Sequence, residues 1–314
     1  MSTELAHSLQ QALARRAPLI EALRSEGCDT WRVFHGRNEG RENLAIDRYG
    51  PHLLAQSWGT PLSEADRATV EETLGPIQWR HRGEKQPQSP PFTFQELGLR
   101  YTGRIHHKGL DPWLFLDFRV ARRWLLDNAQ GARVLNTFAY TCGAGLAAAK
   151  GGARSVLNVD HGAWCLEAGQ QNAAANGLEM EFLRADFFAA TRQFAGLALK
   201  GRGRRKVGIK LDKRQFDLVI LDPPTFAKGA LGAVDILRDY PALAKPCLMA
   251  LAPGGRLLAT NHHAHVTREQ WLAQMLRTGE KCGRPIVSHH WLEVEADFPS
   301  PDGQGPLKIL VCQV

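Results

Sequence analysis

Three acids and an asparagine close apolar runs in the second half of the chain. Asp160 ends "RSVLNVD", Asp186 ends "MEFLRAD", Asp222 ends "FDLVILD" and Asn261 ends "RLLATN". A fifth run, "ARVLNTF", carries Asn136 at the start of a small-residue loop, with Gly143 and Gly145 ahead of a helix. Glycines let backbone approach a ligand closely, and a helix N-terminus favours polar or anionic groups. An acid at the end of the second strand suits two ribose hydroxyls, and Asp186 could accept a hydrogen bond from an adenine amino group. One such acid alone reads as a helix cap. Three at successive strand ends, together with the loop, read as a ligand site. The loop sequence "YTCGAGLAAAK" lacks GxGxxG, and Asp160 follows somewhat further on than the roughly 20 residues of dinucleotide folds. That combination favours an adenosyl ligand without a pyrophosphate over a nicotinamide dinucleotide.

The stretch "VILDPPTFAKG" raises a second chemistry. Proline cannot donate to a sheet ladder, so the strand stops at Asp222. Pro223 and Pro224 then form a rigid corner that presents carbonyl oxygens, with the aromatic Phe226 two places on. Such a corner stabilises a reacting group without reorganising. Phe226 also reads as an ordinary core residue.

These residues need a frame that places strand ends side by side. From about Gly131 strands alternate with helices, the pattern of a doubly wound, mostly parallel sheet, whose ligands bind beyond the carboxyl ends of the strands. The earlier chain is different. Residues 3–26 read as two short helices, with Pro18 opening the second and Gly27 stopping it. Strands follow in "TWRVFHG" and in "ENLAIDRYGPHLLAQSW", turned at Gly50-Pro51. Ser63 and Asp66 fit a capping box. "IQWRHR" reads as a strand, and "FTFQELGLRYTGRI" as a hairpin around Leu97-Gly98. The expected organisation is a helical segment at 1–28, a small α+β domain at 29–105 and a ligand-binding α/β domain at 106–314.

Composition bounds the partners. The chain has 314 residues, 44% of them hydrophobic, and no apolar run approaches a membrane span. "MSTELAHSLQQALARR" lacks the apolar core of a secretion signal, so a cytoplasmic location is expected. The six cysteines form no CxxC pair, which argues for free thiols and against a zinc site. Net charge is +7. Residues Lys200 to Arg214 hold eight basic residues against the single acid Asp212. This arm reads either as a solvated loop or as a phosphate-contacting segment, through Lys200, Arg202, Arg204, Arg205 and Lys206.

Four passages, "AIDRYG", "LFLDFR", "VLNTFAYTCGAG" and "LDPPTF", resemble the class I S-adenosylmethionine-dependent methyltransferases of 23S ribosomal RNA, the family that makes 5-methylcytosine and 7-methylguanine there. The resemblance implies a Rossmann-like domain with a mostly parallel seven-stranded sheet, S-adenosylmethionine as cofactor and ribosomal RNA as partner. It implies that Asp117, Arg119, Asn136, Phe138, Tyr140, Thr141, Gly143, Asp160 and Asp186 lie against the cofactor. It also implies that Asp222, Pro223 and Pro224 line the meeting point of methyl group and base, with Phe226 stacking on that base. Phe118 stands where the family usually has Gln. The N-terminal PUA domain of many relatives has no room in this chain.

Methylation at cytosine C5 needs a cysteine to attack the ring first. Relatives that do this carry a cysteine at the end of the fifth strand, where this chain has Asn261. A ring or amino nitrogen needs no such nucleophile, and "DPPTF" with this asparagine resembles the 7-methylguanine branch. Nitrogen transfer, with guanine N7 favoured, is therefore expected, assisted by orientation and without metal. The alternatives are cytosine C5, a protein or small-molecule acceptor, and a noncatalytic RNA-binding factor. His262, His263 and His265 have no partners at metal-ligand spacing and read as a surface or RNA-facing loop. His106-His107-Lys108 reads as a phosphate contact or an exposed linker. Nothing in the sequence sets the oligomeric state.

Overall fold

A computed structural model describes residues 2–107, 109, 111–199, 209–229, 232–300 and 305–314. The chain forms two compact units, Met1–Arg119 with Val294–Gly305, and Val120–Glu293 with Pro306–Val314.

The first unit opens with a single helix, Ser2–Ser25, that runs through Pro18. Two helices were expected because an interior proline removes a hydrogen bond. Packing overrides that preference: Leu5, Leu9 and Ala12 before the proline and Leu23 after it enter the same core as Trp31, Phe34, Leu44 and Ile46. The helix is thus part of the small α+β unit and not a separate segment. That unit holds a four-stranded sheet of β1 (Thr30–His35), β2 (Leu44–Tyr49), β3 (His52–Ser57) and β4 (Gln78–His81), in that order, with β4 parallel to β3 at an edge. Ser63 caps helix Glu64–Leu74 by accepting from Asp66 N at 3.1 Å. The Asp66 carboxylate pairs with Arg41. The hairpin β5 (Phe92–Glu96) and β6 (Leu99–Gly103) turns at Leu97 and Gly98, both at positive φ, as a tight two-residue turn requires.

The expected boundary near residue 105 falls instead at 119/120, and 294–305 returns to the first unit. The reason is a buried ionic network. Arg119 Nε donates to Glu295 at 2.5 Å, its Nη2 to Asp297 at 2.6 Å and its Nη1 to Thr30 O at 3.1 Å. Arg16 bonds Glu39 and the Asp297 carbonyl. Burial works against the Arg119 charge, but Asp297, Glu96 and Glu295 outweigh it and push its pKa up.

Acid should loosen this unit. Burial, reinforced by Arg32, pushes the His35 imidazole down from 6.5 to about 4. Between those values the unfolded chain binds the extra proton and the folded chain does not, so stability falls as pH falls. The full loss corresponds to roughly 3 kcal/mol. Glu39 adds to it: burial raises its pKa, yet bonds from Arg16, His35 N and Arg15 outweigh burial and hold it low. The melting temperature is expected to drop steadily from pH 6.5 to 4, and His35→Gln to flatten that drop. An equal drop in the variant would exclude His35 as a source.

The second unit is a seven-stranded sheet of β7 (Arg133–Thr137), β8 (Ser155–Asp160), β9 (Glu181–Arg184), β10 (Phe216–Leu221), β13 (Leu251–Asn261), β14 (Ser288–Leu292) and β15 (Lys308–Gln313). Its order is β14-β15-β13-β10-β7-β8-β9, and all strands run the same way except β15, which is antiparallel to both of its neighbours. From β7 the chain winds through β8 and β9 to one edge, then returns to β10 on the other side of β7. That reversal leaves a crevice beyond the ends of β7 and β10. A short hairpin, β11 (Phe226–Gly229) with β12 (Gly232–Asp235), follows the Asp222 corner and was not expected from the sequence. The "APGG" turn lies within β13, where pairing jumps from Phe216↔Leu251 to Leu218↔Arg256.

Candidate methyl-transfer site

The loop after β7 is held in an unusual conformation. Phe138, Tyr140 and Cys142 all have positive φ, of 52°, 50° and 64°. Such angles are uncommon for residues with side chains and cluster where a ligand must be met. Three bonds stabilise them. Ala139 N donates to Val159 O at 3.1 Å, Cys142 N to Ala139 O at 2.7 Å, and Tyr140 N to the Asp160 carboxylate at 2.9 Å. The other Asp160 oxygen accepts from Gly162 N at 2.8 Å. Asp160 therefore joins the ends of β7 and β8. Each of its oxygens has a lone pair left for a hydroxyl, and its side chain is 10% exposed.

Below the loop, Asn136 Nδ2 donates to Asn158 Oδ1 at 2.9 Å in the buried sheet. Helix Gly143–Lys150 begins directly above. A Cβ on Gly145 would lie 2.2 Å from Asn158 Oδ1, so a glycine is required for the helix to sit this close to the sheet. Thr141 is buried beside it. Asp186 caps helix Phe187–Phe194, accepting from Ala189 N at 3.1 Å. Its neighbour Phe187 stacks on Phe138 at 4.5 Å. Trp164, 45% exposed, meets Tyr140 edge-on at 5.6 Å.

The Asp222 corner adjoins this loop because Leu221 pairs with Thr137 of β7. On its other side Leu221 pairs with Ala259 of β13. Asp222 Oδ1 accepts from the Thr260 hydroxyl and lies 3.0 Å from His262 Nε2. Pro223 is buried and Pro224 exposed. Asn261 is buried; its Oδ1 accepts from His263 N at 2.8 Å, while its Nδ2 has no partner among the described residues.

The second unit thus brings Asn136, Phe138, Tyr140, Thr141, Gly143, Asp160, Asp186, Asp222, Pro223, Pro224 and Asn261 to one end of its sheet. Asp117 and Arg119 belong to the first unit, Asp117 in the short turn Leu116–Phe118 and Arg119 in the network above. The Phe226 side chain and Lys200, Arg202, Arg204, Arg205 and Lys206 lie outside the described residues. Thr260, Trp164 and Phe187 were not singled out in the sequence, and His262 was read as part of a surface or RNA-facing loop and not as a partner of Asp222. Thr260 and His262 flank Asn261 at the end of an apolar run, which marks the place, but nothing near them names Asp222 as their neighbour. Among the described residues no cluster of His, Cys, Asp and Glu could hold a metal ion, and no helix is long and apolar enough to cross a membrane.

The profile of an S-adenosylmethionine-dependent methyltransferase family matches residues 88–313. The chain belongs to this family. A "Ribosomal RNA large subunit methyltransferase" of Deinococcus radiodurans is 31% identical over 92% of this chain and 74% of its own length. A "Ribosomal RNA large subunit methyltransferase I" of Shewanella denitrificans is 30% identical over 81% of this chain and 65% of its own. A "Ribosomal RNA large subunit methyltransferase K/L" of a Shewanella species is 29% identical over 82% and 38%. The chain therefore spans less than two thirds of the latter two relatives. Among solved structures, SMU.776 complexed with SAH has a TM-score of 0.82 at 22% identity, covering 100% of this chain and 82% of that one. A SAM-dependent methyltransferase from Agrobacterium tumefaciens has a TM-score of 0.61 at 22% identity, covering 87% of each. These two likenesses show the fold, a class I methyltransferase. The methyltransferase uses S-adenosylmethionine, and the loop fits that group: a strained backbone turn, a helix set close by Gly145, and an acid with spare acceptor capacity.

Proposed function

We propose that this methyltransferase modifies a base of 23S ribosomal RNA at a nitrogen, with guanine N7 favoured. Bound S-adenosylmethionine supplies an electrophilic methyl group on a sulfonium. Asp160 would hold the ribose hydroxyls, Asp186 and the Phe138–Phe187 pair the adenine side, and the Tyr140–Thr141–Gly143 backbone the remainder. Asp117 is assigned to the cofactor as well; Arg119, expected there too, has its guanidinium taken up by Glu295, Asp297 and Thr30 O and is not assigned to it. Asp222, with the Pro223 and Pro224 carbonyls, would orient the base, Phe226 would stack on it, and Asn261 would close the corner. The basic arm from Lys200 to Lys206 would contact RNA phosphates.

The relatives' names support the substrate class. The observation that carries the choice of nitrogen is the state of the thiols. Burial pushes Cys28 up to about 11 and Cys312 up to about 12, and raises Cys142, Cys247 and Cys282 as well. Such thiols are poor sources of thiolate near neutrality. The end of β13 holds Asn261 where a nucleophile would be needed.

The test is transfer of labelled methyl from S-adenosylmethionine to ribosomal RNA from cells lacking the enzyme, followed by nucleoside chromatography. Label is expected in 7-methylguanosine or another N-methyl nucleoside. Label in 5-methylcytidine would overturn the nitrogen assignment. No label in RNA, with cofactor binding intact, would shift the acceptor to a protein or small molecule.

A further inference from the structure

The first unit gathers cations along two neighbouring segments. Arg80 and His81 lie on the edge strand β4, and Arg82 follows. The chain after β6 brings up Arg104, His106 and His107. Arg80 Nη2 donates to His107 O at 2.9 Å and ties the two segments together. The Arg82 guanidinium lies 4.6 Å over the Trp58 ring, and that of Arg104 lies 5.7 Å over Trp113. Elsewhere in the unit, Arg16, Arg32, Arg41 and Arg119 each have a carboxylate. Among the described residues neither Arg82 nor Arg104 forms an ion pair.

The electrostatic cost is visible. Burial lowers the Arg82 pKa, and the charges of Arg32 and Arg80 lower it further. His107 is lowered by burial first, and by Arg80, Arg104 and His106 against a bond to Asp111 O. His106 is lowered by burial and by Arg80. Like charges held this close raise the energy of the free protein, and a polyanion would relieve it. A guanidinium presents its N–H groups in one plane, the geometry that addresses a phosphate in pairs; Arg104 spends Nη1 on Ser89 O at 2.5 Å, which leaves its Nη2 for a phosphate.

We propose that Arg82 and Arg104, on segments tied together by Arg80 and His107, form a phosphate-docking platform for the folded RNA substrate. The platform is separate from the basic arm at 200–214, and it rests on the assignment of RNA as substrate made above. Arginines backed by aromatic planes fit a repeating phosphate backbone better than the mixed surface of a protein.

Binding to protein-free 23S ribosomal RNA from cells lacking the enzyme is measured across a salt series, for wild type and for Arg82→Gln with Arg104→Gln. The plot of log affinity against log salt should become shallower by about one per arginine removed. Binding at low salt should weaken by about tenfold. Arg82→Lys should keep the wild-type slope. Arg82→Gln alone, at an exposed position, gives the same reading at half the size should the double variant misfold. An unchanged slope, with wild type binding RNA normally, overturns the platform and leaves the enzyme's substrate standing. Failure of wild type to bind or methylate this RNA removes the RNA assignment, and the platform with it. Unchanged binding to protein-free RNA, with impaired methylation of intact large-subunit particles, would make the cluster a contact for a ribosomal protein instead.

Discussion

Asp222→Ala is expected to lower single-turnover methyl transfer by about 10²–10³-fold at saturating cofactor and RNA, with the cofactor dissociation constant changed severalfold at most. Asp222 holds two groups at once, the Thr260 hydroxyl at the end of β13 and His262 Nε2 just beyond it. The two bonds fix a carboxylate at the mouth of the crevice, against a backbone stiffened by two prolines. Removing it leaves the base without an oriented acceptor, an interaction worth about 3–4 kcal/mol in comparable preorganised sites. Folding should suffer little, since Asp222 is only partly buried. Asp222→Asn keeps the shape and one acceptor oxygen, so it should fall between alanine and wild type. Near-wild-type transfer by Asp222→Ala would remove the corner from the reaction and leave Asp222 a tie between β10 and β13.

Asp160→Ala is expected to weaken S-adenosylmethionine binding by about 100-fold or more, measured by calorimetry without RNA. Two effects add. The carboxylate that would hold the ribose is lost, and hydrogen bonds to a charged group are worth about 1.5–3 kcal/mol. The amides of Tyr140 and Gly162 also lose their acceptor. Three residues with side chains then sit in left-handed conformations with less to hold them there, so the loop spends less time in the binding geometry. Asp160→Asn, which keeps an acceptor for one amide, should bind more tightly than alanine. Full affinity in the alanine variant would leave Asp160 a loop brace and require another acid to meet the ribose. Asp186, already engaged as a helix cap, is the first to examine.

The sheet was legible in the sequence because its strands are continuous apolar runs ended by polar residues. Buried parallel strands have to look like this. The site was legible for the same reason: in such a fold the ends of the runs are the site. What the sequence concealed depends on distant pairing. Nothing local marks His262 as a partner of Asp222, since the two are 40 residues apart and meet only once β10 lies beside β13. Pro18 predicted a break because local preference disfavours an interior proline, and burial of the helix overrode it. The boundary near residue 105 was misplaced because Arg119 is joined to its unit through Glu295 and Asp297, which lie in a proline-containing stretch that reads as an ordinary connection. The hairpin after Asp222 escaped because its strands span four residues each, too few for a periodic pattern.

The bonds from Arg119 to Glu295 and Asp297 span 176 and 178 residues. A ribosome making this chain exposes Arg119 long before either acid exists. Until they emerge, that guanidinium and its place beside Thr30 must stay hydrated, so the first unit cannot seal its interior although nearly all of its sequence has been made. The second unit has by then produced β7 to β14 and lacks only its last strand, β15. Order of synthesis and order of completion therefore differ: the first unit, made ahead of the second, waits on a segment that emerges only after β14.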